Sequence, residues 1–259
     1  MGPAESEVHF WIVLGVMLAG VVTFLALLFI TAPYGRHYGG EPSWGPSIPS
    51  RWGWIVMESP SVVVFAAIFA QGDHASSLVP LVLLGIWQWH YVHRTFIFPF
   101  RMRTEGKTMP LLVVALAVLF NCTNSYINAR WISHLAEYGT GWLLDPRFIL
   151  GVAVFALGFA INVHSDTVLI NLRAPGERGY KIPRGGAWGL VSSPNYLGEL
   201  LEWIGWSLAT WSLAGLAFVI YTAANLVPRA ISNHRWYKEK FADYPASRKA
   251  LVPFIFQVF

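Results

Sequence analysis

Long apolar runs broken by short polar segments dominate the chain. Runs at 9–32, 53–70, 78–98, 110–134, 147–172, 195–211 and 213–236 approach the roughly 20 residues with which a helix crosses about 30 Å of hydrocarbon. The pattern predicts an all-α, polytopic membrane bundle of seven transmembrane helices. The first run is too long for the apolar core of a signal peptide. No basic segment precedes it and no small-residue cleavage site follows, so it is expected to remain as a span.

Composition and charge then orient the bundle. Hydrophobic residues make up 55% of the chain and charged residues only 12%, which is too apolar for an ordinary soluble domain. With the N-terminus outside, 15 of the 18 Lys and Arg residues fall in the segments 33–52, 99–109 and 173–194 and in the tail from 229. The positive-inside rule therefore predicts an outside N-terminus and a cytoplasmic C-terminus. The net charge of +4 is a topology signal, and no nucleic-acid partner is expected. Cys122 has no second cysteine to pair with. Without repeats or long linkers, residues 1–259 read as one domain, of which 147–259 carries most of the candidate ligand positions.

Against this background, polar residues inside spans carry the functional signal, because a charge near the bilayer centre costs about 2.5 to 3.5 kcal/mol and usually faces a bundle interior. Glu58 stands alone in "WIVMESPSVV". In "NVHSDTVLINLR", Asn162, Asp166 and Arg173 follow one another at four and seven residues, a helical spacing that places them on one face. Asn195, Glu199 and Glu202 make a second stripe, and Arg229, Asn233, Trp236 and Tyr237 a third. Two readings stay open. The groups satisfy one another, with Asp166 or Glu199 paired to Arg229, or they surround a polar ligand entering from the basic face. Guanidinium forks beside amides and a carboxylate suit a nucleotide. Because no G-x-G-x-x-G follows a strand, its site would not be a Rossmann fold. Gly185, Gly186 and Gly189 of "PRGGAWG" form either a turn or a close approach to phosphate.

The segments "APYGRH", "MESPS", "HYVHRTF", "AINVHSDTVLINLRAPGERGYKIPRGGAWGLVSSPNYLGELLEWIGWSLATWS" and "HRWYKEKFADYPASRKALVPFIF" closely resemble the steroid 5α-reductases, the 3-oxo-5α-steroid 4-dehydrogenases. The resemblance implies a seven-helix membrane enzyme that uses NADPH to reduce the C4–C5 double bond of a 3-oxo-Δ4 steroid. It assigns the cofactor to Tyr34, Asn162, Asp166, Arg173, Asn195, Arg229 and Tyr237, beside which Glu199 and Asn233 complete the polar stripes. Glu58 and Tyr91 resemble the family's pair that polarises the steroid carbonyl, Glu58 as a neutral acid able to donate; the alternatives are a Glu58 paired with Arg94 and a Tyr91 in an interfacial aromatic belt. Trp54, one turn before Glu58, is expected to wall the substrate cavity. The chain departs from its relatives at Met57, where they carry glutamine, and at Asn233, where they tend to carry histidine.

Two other classes are weighed beside this one. One is a membrane methyltransferase of related fold that binds S-adenosylmethionine. The other is a transporter or haem carrier, for which His90, His93 and His164 offer no clear opposing pair. The expected partners are a steroid or other lipid enone and the bilayer, with no obligatory protein partner. The expected membrane is the bacterial inner membrane, or the endoplasmic reticulum in a eukaryote.

Overall fold

A computed structural model describes residues 3–33, 35–38, 44–174, 176–177 and 179–253. Eight α-helices are found among them: α1 (Pro3–Phe29), α2 (Ser50–Phe69), α3 (Leu78–Val92), α4 (Phe98–Arg101), α5 (Leu111–Arg130), α6 (Pro146–Asn171), α7 (Pro194–Thr210) and α8 (Leu213–Lys240). A π-helical turn, His93–Ile97, joins α3 to α4, and a second, Trp131–Leu135, extends α5. Five stretches are long and apolar enough to cross a membrane: Glu5–Phe29, Ser50–Phe69, Leu111–Leu135, Pro146–Asn171 and Leu213–Lys240. Leu18, Val22, Leu25 and Phe29 on α1 and Trp89 on α3 are exposed, as side chains facing lipid would be.

The remaining two expected spans differ from these five for physical reasons. Helix α3 has 15 residues, although helical backbone continues through the π turn and α4 to Arg101. Helix α7 has 17 residues and carries Glu199 and Glu202. An all-helical reading also misses one small sheet. Strands β1 (Ser47–Pro49) and β2 (Thr108–Pro110) pair antiparallel, with Ile48 opposite Met109. Each ends on a proline that immediately precedes a helix, so the ribbon ties the starts of α2 and α5, which pack along each other.

The most extensive helix contact is between α6 and α7. Gly151 and Gly158 on α6 face Gly205 and Gly198 on α7. A Cβ on Gly158 would lie 2.5 Å from the Glu202 nitrogen and the Gly198 oxygen, and one on Gly198 would lie 2.5 Å from the Asn162 nitrogen. Small residues let helix backbones approach in lipid, where the hydrophobic effect gives helices no reason to associate. Helix starts are capped locally. Asp145 accepts from the Arg147 N–H at 2.8 Å, and Ser212 from the Gly215 N–H at 2.9 Å after a left-handed Trp211 turns the chain from α7 to α8.

An aromatic cluster of Phe65, Trp87, Tyr91, Trp203, Trp206 and Phe218 fills the space between α2, α3, α7 and α8. Two of the indole N–H groups that it buries have partners, as an apolar interior requires. Trp87 donates to the Ser61 carbonyl at 2.8 Å and Trp206 to Asn128 Oδ1 at 2.8 Å.

Candidate active site

Helix α2 presents Glu58 just before a break in its own hydrogen-bond ladder. Pro60 has no N–H, so the Val56 carbonyl loses its partner four residues on. Ser59 Oγ donates to that carbonyl at 3.0 Å instead. The next carbonyl, Met57 O, accepts from Asn121 Nδ2 of α5 at 2.6 Å. Ser125 of α5 and Trp87 and Gln88 of α3 hold the carbonyls of Pro60, Ser61 and Val62. The segment carrying Glu58 is thereby pinned from two sides.

The Glu58 carboxyl lies beside Asn121 and faces the Arg94 charge. Tyr91, buried on α3, stacks on Trp203 at 5.5 Å, and its hydroxyl lies near Glu58 and Ser61. Helices α2 and α3, tied by the Trp87 and Gln88 hydrogen bonds to the Ser61 and Val62 carbonyls, thus bring Glu58 and Tyr91 into one electrostatic neighbourhood. Trp54 lies one turn before Glu58 with the Arg94 guanidinium 4.8 Å over its ring, and the same guanidinium sits 4.6 Å over Phe98.

Arg94 is the centre of a buried polar network. Its Nη1 and Nη2 lie 3.4 Å from Asp166 Oδ2 and 3.4 Å from Glu199 Oε2. Asn195 Nδ2 donates to Asp166 Oδ1 at 3.0 Å, and Asn162 Nδ2 donates to the Asn195 carbonyl at 2.9 Å. Asn162, Asp166, Asn195 and Glu199 are thus brought together across the glycine seam of α6 and α7. The ion pairs run to Arg94 rather than to Arg229. A lone arginine one turn beyond Tyr91 in an apolar run is the sequence signal for this role.

The second cluster lies on α8. Arg229 donates through Nε to the Tyr196 hydroxyl at 3.0 Å and through Nη1 to the Ala32 carbonyl at 3.0 Å. Gly35 has a positive φ of 62°, and a Cβ there would meet Arg229 Nη2 at 3.4 Å. Asn233 donates to Ser193 Oγ at 3.3 Å and accepts from His37 Nε2 at 3.0 Å. Burial holds the His37 imidazole below its ordinary value of 6.5, with the Arg229 and Arg36 charges adding to this and the Asn233 hydrogen bond opposing it. Tyr237 is buried, with Arg36 4.6 Å over its ring and Tyr244 stacked on it at 5.2 Å.

Arg173 lies outside the Arg94 network and meets the α8 cluster only through Tyr180, over whose ring the Arg173 and Arg36 guanidinium groups sit at 6.0 and 5.9 Å. Helix α6 ends at Asn171, so helical phase does not carry through to residue 173 and the expected three-residue stripe stops at Asp166. Arg173 instead donates to the Gly179 carbonyl at 2.9 Å, with the Lys107 and Arg36 charges near each other and near it. Glu202, the third member of the α7 stripe, turns to His90: Nδ1 lies 2.6 Å from Oε2, and both groups are buried. The sequence alone offered His90 no opposing partner. Tyr34 lies outside the described residues.

Sequence reasoning counted Arg36 and Arg248 among the basic residues of the loops and tail without singling them out as ligand contacts. Arg248 is 3% exposed and donates through Nη2 to the Pro183 carbonyl at 2.8 Å. Among the described residues, its Nε and Nη1 and the Nη1 of Arg36 are buried without a hydrogen-bond partner. Buried guanidinium N–H groups left unpaired are costly unless an acceptor completes them. An anionic group fits here.

The family model for 3-oxo-5-alpha-steroid 4-dehydrogenase matches residues 107–256. Steroid 5-alpha-reductase DET2 of Solanum lycopersicum is 42% identical over 259 residues, covering 99% of this chain and 100% of its own. The 3-oxo-5-alpha-steroid 4-dehydrogenase 1 proteins of Bos taurus and Homo sapiens are 43% and 44% identical, covering 91% and 86% of this chain and 92% and 86% of their own.

Proposed function

The chain belongs to the 3-oxo-5-alpha-steroid 4-dehydrogenase family, and from this premise we propose that it reduces the C4–C5 double bond of a 3-oxo-Δ4 steroid with NADPH, Glu58 and Tyr91 polarising the 3-keto group. It is a membrane oxidoreductase of steroid metabolism. Membership of this family sets aside the methyltransferase, transporter and haem-carrier readings.

The observation that carries the mechanism is the pinning of α3 to α2 by the Trp87 and Gln88 hydrogen bonds to the Ser61 and Val62 carbonyls, one turn from Tyr91 and Glu58, which puts the buried Tyr91 hydroxyl in the field of the Glu58 carboxyl. Addition of hydride to the β carbon of an enone sends negative charge to the carbonyl oxygen. Donors aimed at that oxygen are worth more to the transition state than to the ground state. Tyr91 donates its phenolic proton toward the oxygen, and Glu58 in its acid form donates a second hydrogen bond. Trp54 supplies an apolar wall, and the Arg94 guanidinium spread over Trp54 and Phe98 closes the polar side.

NADPH supplies the hydride when bound. The residues that would hold it are Asn162, Asp166, Asn195 and Glu199 beside Arg94, and Arg229, Asn233 and Tyr237 on α8, with Arg173 and Tyr34 from the inner loops. The unpaired buried N–H groups of Arg36 and Arg248 suit the phosphates of such a ligand. In the membrane, the continuous helical backbone from α3 to Arg101 and helix α7 count as two further spans. The proposed topology is therefore seven spans with the N-terminus outside and the C-terminus cytoplasmic, which leaves the basic loops and the polar clusters on the cytoplasmic side.

The decisive experiment incubates the purified protein with NADPH and testosterone or progesterone and identifies the product. A 5α-reduced 3-oxosteroid is expected. Recovery of unchanged steroid with no oxidation of NADPH would overturn the reading.

A further inference from the structure

We infer that Asn121 is the positioning residue that sets the Glu58 carboxyl for donation, an inference that rests on the role proposed for Glu58. Asn121 is a buried amide on α5, a helix whose preceding turns are apolar, "LLVVALAVLF". An amide at such a depth needs its N–H groups satisfied. One goes to the Met57 carbonyl at 2.6 Å. The Glu58 carboxyl, on the residue that follows this carbonyl, is within electrostatic reach of the same amide. An amide nitrogen carries two N–H groups, and here one fixes the backbone immediately before Glu58 while the other is available to the carboxyl itself.

The neighbours leave Asn121 this task. The Met57 side chain is packed with Met109 and Val114 in an apolar cluster and offers no polar group to Glu58. Ser59 donates to Val56 O, and Arg94 has its fork on Asp166 and Glu199. A carboxylic acid has one acceptor oxygen and one hydroxyl. An N–H donated to the acceptor oxygen selects the orientation in which the hydroxyl points away from Asn121, toward the substrate. Asn121 touches no reacting atom in this arrangement and acts through Glu58.

A double-mutant cycle tests this with NADPH and testosterone as probes. Asn121→Leu and Asn121→Ser are measured alone and combined with Glu58→Ala, recording kcat, the steroid KM and NADPH affinity. The expected result is a kcat lower by about tenfold for either Asn121 variant, corresponding to about 1.4 kcal/mol of coupling, with NADPH affinity held within about twofold. In the Glu58→Ala background the same substitutions are expected to change kcat by less than about twofold. An equal loss in both backgrounds would show a structural pin between α5 and α2 and overturn the inference, as would an unchanged kcat in the Glu58 background. The serine variant, smaller and still polar, decides the matter if the leucine variant loses NADPH binding through misfolding. Wild-type turnover in Glu58→Ala alone would instead reject the role of Glu58, whatever Asn121 does.

Discussion

At the scale of single residues, Glu58 and Tyr91 are proposed as two donors serving one developing charge, so their loss should appear in turnover before binding. Glu58→Ala and Tyr91→Phe are each expected to lower kcat by about 100- to 1000-fold while NADPH affinity stays near wild type. Glu58→Gln keeps a donor and is expected to retain more activity than Glu58→Ala; equal damage from the two would mean that Glu58 acts as an anion. His37 gives a pH-dependent case outside the membrane-spanning helices. Its folded value lies below the ordinary 6.5. As pH falls through that value, the unfolded chain takes up a proton that the folded loop resists, so acid disfavours the folded state. Between pH 7.5 and 5.5 the melting temperature in detergent is expected to fall, and by less in His37→Gln. An identical fall in both would exclude His37 as a contributor.

At the scale of elements, the α6–α7 seam governs how the polar stripes meet. Gly158→Ala or Gly198→Ala must force the two backbones apart, and overpacking of this kind costs about 1 to 3 kcal/mol. Each is expected to lower the thermal stability and the NADPH affinity, because Asn162 and Asp166 on one helix are tied to Asn195 on the other. Gly85, where a Cβ meets nothing within 4 Å, is the control, and Gly85→Ala is expected to be neutral in both measurements. The α6 and α7 stripes were legible in the sequence because four-residue spacing survives wherever a helix is continuous. Arg173 was misplaced because the helix ends at Asn171, beyond which phase means nothing. The centring of the network on Arg94 and the burial of Glu202 against His90 depend on which helices become neighbours, and spacing within one helix does not carry that information. Asn121 was hidden for the same reason: its partners, the Met57 carbonyl and Glu58, are 64 and 63 residues away in the chain.

At the scale of the whole molecule, the proposed topology predicts opposite locations for the two ends. A reporter at the C-terminal end is expected in the cytoplasm and one at the N-terminal end outside, and reporters on the same side would rule out seven spans. The two faces of the proposed active site also differ in construction. The face formed by α6 and α7 is held by backbone touching backbone, where any added atom collides. The face formed by α2, α3 and α5 is held by side chains reaching to carbonyls and by ring packing. These two kinds of contact tolerate inherited change differently. A lineage that altered the steroid it accepts could exchange side chains on α2, α3 and α5 one at a time, each exchange leaving the helices where they are. The glycine seam offers no such gradual route, so diversification is expected to accumulate opposite it while α6 and α7 stay fixed.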